Sequence, residues 1–233
     1  MTEFPMGFKR AMVRALLADR PKTQTRRPIT ARNSLVNGAA LTQKKWDQLQ
    51  LDFARAEVRL ENSLVVPGQV NGEASSFSVT PRIRPGDRIW VKEDYRFTDD
   101  LDKYKPAVVG ELCVNAGYRL PWAPIQYEAD EARVNWSHTG TPPHLRPPAP
   151  GKLRAGMFMP RWACRLVQEI HKTRVQLVKE ISEDDAFAEG CHPVPGGPSA
   201  RHLYSELWCE IHGRASWRNN PLVWVLEFHR ELK

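Results

Sequence analysis

Prolines are spread along most of the chain and limit the helices that it can form. The sequence has 19 prolines in 233 residues, about 8% against a usual share of about 5%. A proline inside a helix removes a backbone hydrogen bond and clashes with the preceding turn. Hydrophobic residues still make up 41% of the chain, which is enough for a buried core. We therefore predict a globular protein with long non-helical connections, and an all-α architecture is disfavoured.

The apolar segments, cysteines and histidines indicate where in the cell the protein is found and whether it binds a cofactor. The longest apolar runs, such as residues 222–226, are far shorter than the ~20 residues that span a bilayer. The first residues carry charge where a signal peptide is apolar. The four cysteines form no C-x-x-C pattern and the seven histidines no H-x-x-x-H motif, which favours reduced thiols and predicts no metal site. We expect a cytoplasmic protein with no membrane partner and no cofactor.

Apolar residues at helical spacing predict four helices. They cover residues 6–17, 44–60, 182–190 and 200–212. The third begins at Ser182, a favoured N-cap residue, carries acids in its first turn and ends at Gly190. Trp208 in the fourth helix and Trp224 near the C-terminus are assigned to the core.

Alternating β-branched and aromatic residues predict strands at residues 89–97, 125–129 and 222–230. Residues 162–178 predict two strands or one bent strand. Pro85 and Gly86 predict a turn before residue 89, and the prolines of residues 139–151 predict a loop. This order favours an α+β domain on a small, largely antiparallel sheet or barrel. We expect one domain over residues 1–233, with insertions at about residues 30–80 and 98–155.

A basic segment between two prolines carries the most reactive side chains of the chain. Residues 22–28 read K-T-Q-T-R-R-P, so Lys22, Thr25, Arg26 and Arg27 lie close together in sequence. Composition alone favours a solvated basic turn here.

The order of motifs along the chain resembles that of the ASCH superfamily, whose members have the PUA-like fold. The motifs are K-T-x-T-x-R, P-G-D-R-x-W-V-K-E, M-P-R-W-A, I-S-E-x-D-A-x-A-E-G and a terminal W-V-x-E-F, and they span most of the chain. The whole resembles the larger bacterial and phage-type members, and the basic segment is similar to the N4-acetylcytidine amidohydrolases of that superfamily. The resemblance implies a small, mostly antiparallel β-barrel with flanking helices and long insertions.

The resemblance also implies roles for single residues. The N4-acetylcytidine amidohydrolases are associated with a lysine, a threonine and a glutamate, which match Lys22, Thr25 and Glu189. The basic residue five positions after the lysine matches Arg27. The chain departs from the family pattern at Arg20, where glycine is common. The implied activity is a metal-independent hydrolysis of N4-acylated cytosine nucleosides to cytidine and a carboxylic acid.

The chemistry of amide cleavage supports the same three side chains. The reaction requires a nucleophile, a base, and an acid that protonates the leaving amine. Burial or neighbouring cations lower the pKa of a lysine, so Lys22 is suited to act as base toward Thr25. Glu189 would orient Lys22 or carry the proton to the leaving amine, provided that the fold brings it alongside. Backbone N–H groups near Thr25 and the guanidinium of Arg27 are both candidate donors to the oxyanion.

A flat cytosine base is recognised by stacking on aromatic rings and by hydrogen bonds to its edge. The predicted substrate-binding residues are Arg26, Arg27, Trp90, Glu93, Tyr95 and Trp162. Each has a plainer interpretation as well. Aromatic residues on strands are usually core, Glu93 is more simply explained as a surface residue, and Glu189 as an exposed carboxylate at a helix end.

Two function classes compete for this sequence. The first is the nucleoside amidohydrolase, and the second is a non-catalytic PUA-like module that binds RNA or modified DNA; a ribonuclease of the same superfamily is a third reading. The excess of 34 Lys and Arg over 27 Asp and Glu gives a net charge of +7, which attracts phosphate but is modest for a dedicated nucleic-acid binder. The expected partner is therefore a modified nucleoside or RNA.

Overall fold

The computed structural model describes residues 1–136 and 149–230 of the chain. Their contacts divide the chain into two compact units, each built from separate segments. Unit 1 contains residues 1–2, 20–88 and 169–230, and unit 2 contains residues 3–19 and the described part of 89–168. The architecture is α+β with mostly antiparallel sheets, and among the described residues no sheet closes into a barrel.

The described residues form twelve strands and six α-helices. The strands are β1 (Glu3–Gly7), β2 (Gln24–Pro28), β3 (Ser34–Val36), β4 (Glu57–Leu60), β5 (Ser63–Val70), β6 (Glu73–Pro81), β7 (Arg88–Lys92), β8 (Tyr95–Phe97), β9 (Ile125–Tyr127), β10 (Arg133–Val134), β11 (Val167–Leu177) and β12 (Leu222–Arg230). The helices are α1 (Arg10–Leu17), α2 (Gln43–Gln48), α3 (Pro106–Asn115), α4 (Glu183–Ala188), α5 (Ala200–His212) and α6 (Arg214–Asn219). In the described part of the chain, no helix is long and apolar enough to cross a membrane.

In unit 1, strands β11, β12 and β2 are hydrogen-bonded neighbours in that order. Strand β2 is antiparallel to β12, with Thr25 opposite Leu226 and Arg27 opposite Trp224. Just before β2, the Thr23 N–H donates to the carbonyl of Ala188 at 2.8 Å. This bond ties the start of the basic segment to the end of α4.

Helices α4 and α5 and strand β12 agree with their predictions from sequence. The Asp185 N–H donates to the hydroxyl of Ser182 at 3.0 Å, which caps the N-terminus of α4. Gly190 follows α4 with a φ of +89°, a conformation that glycine adopts at little cost. Trp208 and Trp224 are 2% and 1% exposed, so their assignment to the core is confirmed.

Residues 30–80 form a second sheet of unit 1, with strand order β3, β6, β5, β4. The helix predicted over residues 44–60 is wrong beyond its first turns, because α2 ends at Gln48 and β4 occupies residues 57–60. Strands β5 and β6 form a hairpin through Asn71 and Gly72, whose φ angles are +53° and +87°. An Asn-Gly pair with positive φ at both positions matches the twist of a tight hairpin. This hairpin lies in the segment that the sequence predicts only as an insertion.

In unit 2, the predicted helix over residues 6–17 begins later, at Arg10. The preceding residues form β1, in which Phe4 and Met6 are half-buried and their neighbours exposed. Alternation of this kind is the strand period, and it overrides the helical pattern that Met6 and Phe8 were expected to begin. Strand β1 is hydrogen-bonded to β7.

The remaining strand predictions are correct in type and shifted in extent. The strand predicted over residues 89–97 is divided into β7 and β8 at Glu93 and Asp94, and residues 125–129 contain β9. Residues 162–178 contain the single strand β11, while Trp162 lies in a short 3-10 turn before it. Gly86 has a φ of +87° in the predicted turn. The proline-rich loop over residues 139–151 lies mostly outside the described residues.

Candidate functional site in unit 1

Lys22 and Glu189 form the centre of the candidate site. Lys22 lies two residues before β2, and Glu189 is the C-cap residue of α4. The Lys22 ammonium donates to the backbone carbonyl of Glu189 at 2.8 Å and also contacts the Glu189 carboxylate. The two residues are 1% and 3% exposed. The fold thus joins two side chains that are 167 positions apart in the sequence.

The low exposure of these side chains shows whether the basic segment and Glu189 are solvated or buried. Lys22, Arg26 and Glu189 are each at most 3% exposed. A solvated basic turn and an exposed helix-end carboxylate are therefore both wrong for these three residues. Charged side chains at this depth are kept only when they are paired and hydrogen-bonded.

The surroundings of Lys22 act on its protonation. Burial lowers the pKa of the Lys22 ammonium below its ordinary value, the Glu189 carboxylate opposes this effect, and the Arg27 guanidinium adds to it. A lowered pKa gives a larger fraction of neutral amine at a given pH. The neutral amine is the form that a general base requires.

Arg26 holds the other oxygen of the Glu189 carboxylate. Its guanidinium donates to Glu189 Oε1 at 3.0 Å and to Asp185 Oδ2 at 2.7 Å. It also donates to the Gln24 side chain at 3.0 Å and lies over the ring of Tyr204. Both terminal nitrogens of Arg26 are thus engaged within the protein, although the sequence predicted that this residue binds substrate.

The ion pairs continue outward from Asp185. Arg174 of β11 donates to both oxygens of Asp185, at 2.9 and 3.0 Å, and to Glu227 of β12 at 2.9 Å. The side chains of Lys22, Glu189 and Arg26 are at most 2% exposed. Those of Asp185, Arg174 and Glu227 are 20–25% exposed. The series therefore runs from the interior of unit 1 to its surface.

Thr25 and Arg27 are also buried or partly buried on β2. Thr25 is fully buried, and its hydroxyl has no hydrogen-bond partner among the described residues. No hydrogen bond therefore links Thr25 to Lys22 or Glu189. Burial lowers the pKa of the Arg27 guanidinium, and the Glu189 carboxylate acts in the opposite direction. The Glu189 carboxylate therefore influences the pKa of both Arg27 and Lys22.

No protein-family model, curated protein or solved structure matches the chain.

The other predicted site residues lie in unit 2. Glu93 is 2% exposed, and both of its oxygens accept hydrogen bonds from Arg165 at 2.9 Å. Arg165 also donates to Asp130 at 2.8 and 2.9 Å and lies over the ring of Tyr127. Burial raises the pKa of the Glu93 carboxyl, although Arg165 opposes this. The surface interpretation of Glu93 is therefore wrong, and its contacts are those of a buried ion pair.

The three predicted stacking residues have different surroundings. Tyr95 is fully buried in the apolar core of unit 2, so its ring offers no open face to a base. Trp162 is half-buried and stacks on Phe97 with a ring distance of 5.9 Å. Trp90 is half-buried, with Lys92 and Arg161 at 5.5 and 6.0 Å from its ring centre.

Sequence reasoning missed several members of the site. Asp185 was recognised only as a first-turn acid of the helix, although it precedes Glu189 by one helical turn and so shares its face. Nothing in the sequence identified Arg174 and Glu227, because their contacts depend on the pairing of β11 with β12.

Within the described residues, no group of three His, Cys, Asp or Glu side chains is placed to hold a metal ion.

Proposed function

We propose that this chain is an amidohydrolase that cleaves the N4-acyl amide of N4-acylated cytosine nucleosides, giving cytidine and a carboxylic acid. We also propose that the chain belongs to the ASCH superfamily and has its PUA-like barrel. This part of the proposal is based on the sequence motifs. The single observation that carries the chemistry is the buried contact between the Lys22 ammonium and Glu189.

The proposed reaction has two steps. In the first, neutral Lys22 takes the proton of the Thr25 hydroxyl, Thr25 Oγ1 bonds to the acyl carbon, and the bond from that carbon to N4 breaks. Lys22 returns the proton, with Glu189 as the relay, to the departing N4 amine. In the second, water attacks the acyl-threonine ester, which releases the carboxylic acid and restores the hydroxyl. No oxidant or reductant is needed.

Three features of unit 1 support these roles. Burial lowers the pKa of Lys22, which favours the base form. The Thr25 hydroxyl has no hydrogen-bond partner among the described residues, so no hydrogen bond of Thr25 itself must break before Lys22 approaches it. Catalytic hydrogen bonds are often formed only once substrate is bound. Arg27 is the proposed oxyanion donor, because a guanidinium beside the reacting carbonyl stabilises developing negative charge.

The test is incubation of the purified protein with N4-acetylcytidine, with the formation of cytidine followed by absorbance. We expect Lys22→Met, Thr25→Val and Glu189→Gln to lower kcat/KM by about 10²–10⁴-fold, the usual weight of an acid–base group. Lys44→Met is the matched control, because Lys44 is an exposed lysine of α2. An inactive wild-type protein, or site variants as active as the control, would contradict the proposal.

A second candidate function is supported by a surface of unit 2. Trp90 lies beside Lys92 and Arg161, and Met157 and Phe158 on the neighbouring turn are 71% and 62% exposed. The Lys92 ammonium also contacts the carbonyl of Met157. Arg161 is paired with Glu3 at 2.8 and 3.1 Å, so Lys92 is the cation proposed for phosphate. Aromatic and cationic groups together are suited to single-stranded RNA, whose bases stack while its phosphates pair with cations.

This alternative predicts a different measurement. Fluorescence anisotropy with a labelled single-stranded RNA should show binding that weakens steeply as salt rises, and Trp90→Ala should reduce it. If RNA binds in this way while N4-acetylcytidine is not hydrolysed, the binding module is the correct function. If RNA does not bind, the alternative is wrong.

A further inference from the structure

Two carboxylates on α4 hold one guanidinium between them. Asp185 and Glu189 are four residues apart, and the Glu189 N–H donates to the Asp185 carbonyl at 2.9 Å. Residues at this spacing share one helix face, where two like charges repel each other. Arg26 pairs with both, at 2.7 Å to Asp185 and 3.0 Å to Glu189. The position of Arg26 therefore reflects a balance between the two carboxylates.

The two ion pairs of Arg26 belong to a longer series of contacts, which ends at Lys22 on one side and at Glu227 on the other. The order of charged groups is Lys22, Glu189, Arg26, Asp185, Arg174 and Glu227. Their charges alternate in sign, and each group contacts the next. A change at one member therefore alters the electrostatic potential at the others, and buried members are screened least.

We propose that Asp185 is a positioning residue for the reaction, which acts through Arg26 and Glu189 to set the charge state of the catalytic Lys22. This inference rests on the proposed function for its effect on rate. Asp185 itself contacts Arg26, Arg174 and Gln24 and makes no contact with Lys22. Its negative charge attracts the Arg26 guanidinium and so weakens the pairing of that guanidinium with the Glu189 carboxylate, which also pairs with Lys22.

The sign of the effect follows from the charges around Lys22. The groups that face it are Glu189 and Cys191 at the end of α4 and Arg27 on β2, with Tyr204 of α5 beyond Arg26. Loss of the negative charge of Asp185 leaves Glu189 as the one carboxylate paired with Arg26. The potential at Lys22 then becomes more positive, so the ammonium is less favoured and the pKa of Lys22 falls. Loss of the positive charge of Arg174 has the opposite effect.

The experiment compares pH profiles of kcat/KM for N4-acetylcytidine in Asp185→Asn and Arg174→Met. Activity should rise with pH as Lys22 loses its proton. We expect the midpoint of this rise to move by about one pH unit, to lower pH in Asp185→Asn and to higher pH in Arg174→Met. Asp185→Glu should restore the wild-type midpoint. Asp184→Asn is the control, because Asp184 is an exposed acid of the same helix.

A purely structural role for Asp185 predicts a different pattern. Both variants would then lose stability or kcat with unchanged midpoints, or with shifts in the same direction, and either result would overturn the inference. A direct measurement covers the case in which a variant or the wild type has no activity. The carbon chemical shift of the Lys22 Cε, followed against pH by NMR with Lys22→Arg as assignment control, should show the same opposite shifts. Their absence also overturns the inference, whereas their presence in an inactive protein would contradict only the amidohydrolase.

Discussion

The Lys22 ammonium donates to the backbone carbonyl of Glu189 at 2.8 Å and also contacts the carboxylate of the same residue. One side chain thus binds both the last turn of α4 and the carboxylate that this turn presents. The carbonyl contact serves one of the free acceptors at a helix C-terminus, where positive charge is favourable. Lys22 therefore has a structural role in unit 1 in addition to its proposed role as base.

Removal of the Lys22 charge should destabilise the fold. In Lys22→Met the Glu189 carboxylate stays buried with Arg26 as its remaining cation, and breaking a buried pair costs about 3–5 kcal/mol. We expect a loss near the lower end of this range in the free energy of unfolding, measured by urea denaturation. The exposed Lys44→Met should change it by less than about 0.5 kcal/mol. Equal effects of the two substitutions would show that the buried pair contributes nothing.

The N-cap of α4 positions both carboxylates of the site. Ser182→Ala removes the acceptor of the Asp185 N–H, whose bond is 3.0 Å long. We expect a loss of about 1 kcal/mol in the free energy of unfolding, the usual cost of a lost cap. Ser182→Asp should retain most of the stability, because aspartate caps equally well. If alanine and aspartate behave alike at this position, the cap does not hold the helix.

Asp185 should make the fold sensitive to acid. Burial acts to raise the pKa of Asp185, but the Arg26 and Arg174 guanidinium groups outweigh it, so the pKa lies below the ordinary value. Its contribution to stability is complete above the unfolded pKa of about 3.9 and is lost as the pH falls through the folded pKa. Urea denaturation at a series of pH values should show a steeper loss below about pH 3.9 in the wild type than in Asp185→Asn. Parallel curves would be inconsistent with this coupling.

A side chain at Gly156 should destabilise the turn of unit 2 that exposes Met157 and Phe158. A Cβ at this position would lie 2.9 Å from the backbone carbon of Glu93, and the Gly156 N–H donates to Asp94 at 2.9 Å. We expect Gly156→Ala to cost about 1–3 kcal/mol, as for other overpacked sites. Gly7→Ala is the control, because a Cβ there meets no atom within 4 Å. A thermal melt in which both variants match the wild type would contradict this packing.

The elements that sequence predicted best include ones with clear local signals at one or both ends. Helix α4 has a serine cap and a terminal glycine, and strand β12 begins directly after a proline. The helix predicted over residues 44–60 is wrong because its apolar residues are divided among α2, the residues that follow it and β4, and periodicity alone does not distinguish one long helix from several short elements. Tertiary pairing with β5 decided the outcome.

The candidate site was predictable in part. The basic segment and Glu189 were found through a resemblance between motifs, and their burial was not, because composition favours exposure of such charges. Asp185 could have been found from its spacing to Glu189. Arg174 could not, because its contact requires the register of β11 beside β12, which no local pattern in the chain specifies.

The most direct test of the proposed chemistry is to look for the acyl-enzyme on Thr25. Wild type and Thr25→Val are mixed with N4-acetylcytidine, stopped with acid within the first turnovers, and analysed by intact mass and peptide mapping. We predict one acetyl group on Thr25 of the wild type, in the peptide that contains residues 22–28, and neither adduct nor cytidine formation in Thr25→Val. Hydrolysis by Thr25→Val at the wild-type rate, with no acetyl group on either protein, would contradict the proposed chemistry.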